Sequence, residues 1–115
     1  MAITSYSVTN SPTTAAFTAS EDTAVTVIYL CNIGASSDTS DDAVVDVYVV
    51  DSTNVAGHEA SPTENFKIYS QLTVRSGDTY VIDTEKLILN NGDKIYICTP
   101  DSTGNIRATI STIGL

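Results

Sequence analysis

The chain has 115 residues, 42% of them hydrophobic and 17% charged, a balance that permits one well-filled core and argues against disorder. Fourteen acids against five bases give a formal net charge of −9, which disfavours partners rich in phosphate, whether nucleic acid or an anionic membrane surface. No apolar run approaches the roughly 20 residues of a membrane-spanning helix, and the start, Met1-Ala-Ile-Thr-Ser-Tyr, lacks the basic and apolar regions of a secretion signal, so synthesis in the cytosol is expected.

Taken in order, the elements read as strands. β-branched residues dominate, turn signals recur about every ten residues, and no segment carries a helical period. Ala2–Thr9 is a first strand, ended by Asn10-Ser11-Pro12, and Thr14–Ala19 a second. Thr23–Ile33 is the strongest. Simple alternation places Val25, Val27, Tyr29 and Cys31 on one face and Ile28 and Leu30 on the other, so both faces need cover, and a neighbouring subunit is one source of it. Gly34–Asp42 is a polar loop. Ala43–Asp51 alternates cleanly, with Val45, Val47 and Val49 opposite Asp46 and Tyr48.

The connection Ser52–Asn65 is long enough to cross between two sheets. Phe66–Val74 follows, closed by the tight turn Arg75-Ser76-Gly77-Asp78, then short strands at Tyr80–Asp83 and Lys86–Leu89. Asn91-Gly92 predicts a type I′ hairpin into Lys94–Thr99. Pro100–Asn105 is a further turn, and Ile106–Ile113 closes the chain. The expectation is all-β: an antiparallel β-sandwich of about eight strands in a single domain spanning residues 1–115, jelly-roll or immunoglobulin-like.

The inventory of reactive groups is thin. Asp38, Asp41 and Asp42 are weak calcium candidates, since carboxylates on a loop suit a hard cation, but the spacing, glycine and distal glutamate of an EF-hand loop are missing. His58 is the only histidine and falls short of a zinc set or a nucleophilic triad. Cys31 and Cys98 sit in apolar strands and read as buried, reduced thiols. Asp83 and Glu85 stand two apart, but the chain has no tryptophan and no sign of the aromatic subsites of a glycosidase. No catalytic residue, cofactor or metal is assigned, and no enzyme activity is expected. All six tyrosines fall in predicted strands, and Tyr48, beside Asp46, is the foremost interface candidate.

Three stretches carry a resemblance: Val27-Ile-Tyr-Leu-Cys-Asn-Ile-Gly34, Lys67-Ile-Tyr-Ser70, and the run from Gly77-Asp-Thr through Lys86-Leu-Ile-Leu-Asn-Asn-Gly-Asp93 to Ile95. Over roughly residues 25–113 the pattern resembles small virion structural proteins of tailed bacteriophages, the marine and cyanobacterial type. The resemblance implies a non-enzymatic part of the particle. It would be a capsid decoration protein on the exterior, or alternatively a neck, tail or baseplate accessory, with phage capsid or tail proteins as partners, a homo-oligomeric state and a virion location. A carbohydrate-binding adsorption module is the competing class. The acidity is uneven: residues 1–66 hold nine acids and no base, whereas the rest is neutral. That split predicts an acidic half facing solvent and a neutral half, with Lys67 and Arg75, facing the particle.

Overall fold

A computed structural model describes residues 2–12, 14–34, 42–53, 66–83, 87–100 and 105–115. Among the described residues there are nine strands: β1 (Ala2–Ser7), β2 (Phe17–Thr18), β3 (Thr23–Asn32), β4 (Ala43–Val50), β5 (Lys67–Val74), β6 (Thr79–Ile82), β7 (Leu87–Leu89), β8 (Lys94–Cys98) and β9 (Ile106–Gly114). They form two antiparallel sheets. The front sheet runs β1-β9-β3 with β6 and β7 both on the far edge of β3, and the back sheet runs β2-β8-β4-β5.

With β6 and β7 counted as one interrupted strand, each sheet has four positions, in the orders 1-9-3-6/7 and 2-8-4-5. That is the doubled Greek key of a jelly roll, and it decides against the immunoglobulin-like alternative. The chain changes sheet at nearly every connection. Val8 N–H still donates to Ile106 in the front sheet, and one residue later the Thr9 carbonyl accepts from Thr99 at the end of the back sheet.

The sandwich interior is aliphatic. Ile28 and Leu30 of β3 and Ile106, Ala108 and Ile110 of β9 pack against Val45 and Val47 of β4 and Ile95 and Ile97 of β8. All of these side chains are essentially excluded from solvent. The molecule is 20 Å across its thinnest dimension, which accommodates two sheets about 10 Å apart with side chains on their outer faces.

Four expectations need correction. The register between β3 and β9 slips between Val25 and Val27, a bulge at Thr26. It turns Val25 inward with Ile28 and Leu30, while Val27 pairs with Ser111 on the outside. One extra residue reverses the parity of everything before it. Second, the Asn90–Asp93 turn is not a type I′ hairpin. Only Gly92 has positive φ (95°), and the turn carries the chain from β7 in the front sheet to β8 in the back sheet. A type I′ turn returns a strand alongside its partner; this one leaves the sheet. The Arg75–Asp78 turn makes the same crossing with Gly77 at φ 80°. Third, β4 and β5 are neighbours in one sheet, so the connection between them does not cross. Fourth, Cys98 is buried, but Cys31 is only half-buried, on the outer side of β3.

Buried polar side chains fasten the crossings. Asp93 accepts from Ser52 N–H (2.7 Å) through one carboxylate oxygen and from Asn90 N–H (2.8 Å) through the other. Asn32, 1% exposed at the end of β3, donates through Nδ2 to the Val74 carbonyl (3.0 Å), and its Oδ1 accepts from Gly34 N–H (2.9 Å). Its backbone pairs with Gly77 and Asp78, so one residue ties β3 to the crossing from β5 to β6. Asn32→Ala leaves the Val74 carbonyl and Gly34 N–H without these partners. It should lower unfolding free energy by about 1–3 kcal/mol in urea titrations, with Asn32→Asp intermediate because its Oδ1 is kept.

Candidate functional site

Two surfaces emerge, one on each outer face of the sandwich. On the back sheet, β4 and β8 bury their outward side chains as well as their inward ones. Tyr48, Val50, Tyr96 and Cys98 form a second small core, covered in part by Ala15 and Phe66. The clean alternation expected for β4 is therefore absent: Asp46, Tyr48 and Val50 are as buried as the valines opposite them.

Asp46 organises this face. Its Oδ1 accepts from Gln71 N–H (2.8 Å), and its Oδ2 lies 3.2 Å from Lys67 Nζ. The β4–β5 register shifts twice, between Val45 and Val47 and again between Val47 and Tyr48, because β5 carries extra residues at both places. Gln71 occupies the first bulge with φ 56°, a left-handed conformation that a non-glycine residue adopts at a cost. The Asp46 carboxylate thus ties down both irregularities, one through a backbone amide and one through an ammonium group.

Lys67 also lies 5.7 Å from the centroid of the Tyr48 ring, close enough for a cation–π contribution. The Tyr48 hydroxyl hydrogen-bonds the Cys98 thiol, which sits opposite Asp46 in the β4–β8 register. Burial pushes the Tyr48 phenol above its ordinary value, with a further push from Cys98. Burial likewise pushes the Cys98 thiol up, reinforced by the Asp46 charge. A thiol held protonated is a poor nucleophile, so this cluster is built for stability.

The front sheet differs. Strand register places Ile3, Ser5 and Ser7 of β1, Arg107, Thr109, Ser111 and Ile113 of β9, Tyr29 and Cys31 of β3, Thr79 and Val81 of β6, and Ile88 of β7 on its outer face. Ile3 (69%), Ile88 (61%), Tyr29 and Val81 (41% each) and Ile113 (40%) are strongly exposed. Among the described strand positions of this face, Arg107 is the one charged side chain.

The residues singled out from sequence fall into different places. Tyr48 and Lys67 come together, but Tyr48 is 7% exposed and its ring is used within the fold, which corrects its reading as a surface contact. Lys67 is engaged by Asp46. Arg75 stands apart, exposed at the crossing into β6. Asp42 is half-buried, and its Oδ1 accepts from Ser76 N–H (3.1 Å); Asp38 and Asp41 lie outside the described residues. His58, Glu85 and the loop around each also lie outside them, while Asp83 is exposed just beyond β6. Among the described residues no three His, Cys, Asp or Glu side chains gather as a metal site would require. Of the tyrosines, only Tyr29 and Tyr80 are exposed.

The predicted split between an acidic and a neutral half has no spatial counterpart. Strands from before and after residue 66 alternate in both sheets, so neither half forms a side. The contrast lies instead between the front face and the ends of the sandwich, where Glu21, Asp22 and Asp51 cluster at one end and Asp42 and Asp78 at the other. Comparison with family profiles, curated proteins and solved structures finds no match to this chain.

Two outcomes test the back-face cluster. Asp46→Ala should cost about 2–3 kcal/mol of unfolding free energy, because it removes the acceptor of the part-buried Gln71 amide and the counter-charge of a mostly buried ammonium group; Asp46→Asn should recover part by still accepting from Gln71. A double-mutant cycle with Lys67→Met isolates the ion-pair share. Stability should also fall in alkali. Cys98 and Tyr48 hold their protons more tightly in the fold than at their ordinary values of 9.0 and 10.0. Their contribution is complete below those values, and is lost as the unfolded chain ionises first above about pH 9. Denaturant midpoints measured across that range should drop in the wild type and drop less in Tyr48→Phe.

Proposed function

We propose that the chain is a non-enzymatic structural component of a bacteriophage virion, as a capsid decoration protein on the particle exterior, with a neck, tail or baseplate position as the alternative. The observation that carries this reading is the two-sheet jelly-roll topology, built from the segments that carry the phage resemblance. The outer front face, which mixes exposed isoleucine, valine and tyrosine with hydroxyls, adds a surface suited to contact with protein. The segments behind the phage resemblance supply scaffold elements: β3 with its exit at Asn32, the Gly77-Asp78 crossing, and the run from Leu87 to Ile95 that includes the Gly92-Asp93 crossing. Viral capsid domains are among the uses of jelly rolls, an analogy of fold that supports the reading without assigning a role.

The structure changes which cation tests attachment. Reversing Lys67 would set a carboxylate against buried Asp46 and damage the fold. Arg75 is exposed and is the better probe. Mass spectrometry of purified particles should find the protein at high copy number, and Arg75→Glu should lower its occupancy more at low salt than at high salt. Complete absence of the chain from particles refutes the virion assignment; occupancy unchanged by Arg75→Glu removes Arg75 from the contact.

A further inference from the structure

We infer that the outer face of the front sheet is the interface of a twofold homodimer, occupied by the same face of a second copy. Four strand positions at about 4.8 Å spacing and nine residues of β9 at about 3.3 Å give a face of about 600 Å² in flat projection. Side chains raise the accessible area above that figure, towards the roughly 800 Å² per partner of a stable interface. The area is therefore enough for a dimer without help from the ends of the molecule.

Charge selects the occupant. Two copies carrying −9 each repel wherever carboxylates meet. The sandwich ends bring Glu21, Asp22 and Asp51, or Asp42 and Asp78, against their own equivalents. The back face is already covered in part by Phe66 and Ala15, with Asp46 buried there against Lys67. The front face presents isoleucines, valine, tyrosine and hydroxyls, with Asp83 only at its margin. It is the described face on which a second copy of this acidic chain can settle without opposing carboxylates.

The placement of charge also sets the direction. Arg107 stands on the outer face at one end of β9, whereas the Glu21 carboxylate at the other end packs against Gly114 on the inner side of the strand and lies off this face. A twofold axis in the interface plane, perpendicular to the strands, stacks β9 on β9 of the other copy with opposite direction. Each Arg107 then lies at the opposite end of the interface from its symmetry mate. A parallel stacking would bring the two Arg107 side chains together. The antiparallel dimer also covers the outer side of β3, whose two apolar faces exceed what one sandwich can enclose.

This inference rests on the structural reading above only for its relevance to assembly, and its test uses the purified chain alone. Sedimentation velocity over a wide concentration range should show a dimer. Val81→Glu and Ile88→Glu, both at exposed positions, should shift it to monomer while far-ultraviolet circular dichroism stays that of the wild type. Arg107→Ala should leave the dimerisation constant and its salt dependence nearly unchanged, because the antiparallel dimer holds the two guanidinium groups at opposite ends of the face. A wild-type chain that stays monomeric at high concentration, or a dimer that survives both Val81→Glu and Ile88→Glu, overturns the proposal. A dimer that tightens at low salt in Arg107→Ala overturns the antiparallel arrangement. A dimeric chain absent from particles would refute the virion role and leave this interface standing.

Discussion

A two-layer sandwich has one interior and two outer faces, and this chain carries more apolar surface than one interior can take. β3 and β4 are the crossing points. Each runs through the middle of its sheet, and each is apolar on the side that faces away from the partner sheet as well as the side that faces it. Most other features answer this surplus. On the back sheet the chain supplies cover itself: Phe66 and Ala15 pack over Tyr48, Val50, Tyr96 and Cys98. That cover brings the start of β5 tight against β4, and Asp46 sits there as the acceptor for a bulge amide and an ammonium group. A buried carboxylate is costly unless both oxygens are engaged, and here both are.

On the front sheet the described residues supply no such layer. Tyr29, Val81, Ile88 and Ile113 remain exposed. The two faces meet the same constraint differently: one is covered within the chain, and the other is the face we propose a second copy covers. Among the described residues the exposed acids lie at the ends of the sandwich and the margin of the front sheet, and the strand positions of the front face carry none.

The strand pattern was legible because turn signals and β-branched runs are local, and eight of the nine strand regions lie where periodicity placed them with only their ends shifted. β2 is the exception, shrinking from Thr14–Ala19 to two residues, although Ala16 and Ala19 continue its hydrogen bonding to the back sheet. What could not be read is what depends on distance in sequence. The Thr26 bulge turns Val25 inward, and nothing local to Thr23–Ile33 announces it. Gln71 shows no sign in sequence of its positive φ, because the conformation is held by Asp46, 25 residues away. The two glycine turns were recognisable as turns, but whether they fold a hairpin or change sheet is a property of the topology. The division of charge at residue 66 is real in sequence and dissolves in space, because a jelly roll interleaves early and late strands.

The two cysteines give the most direct measurement of the central claim, that the surplus apolar face of the front sheet is covered by a second copy. Cys31 lies on that face, half-buried, opposite Thr79 and Arg107; Cys98 lies in the self-covered core of the back sheet. Thiol-labelling rates resolved by site, taken across a range of protein concentration, separate the two. The account predicts that Cys98 stays unreactive in the folded chain at every concentration, while labelling of Cys31 slows as concentration rises and the dimer fills. A Cys31 rate independent of concentration, in a chain whose sedimentation shows self-association, would place the contact elsewhere and contradict the account.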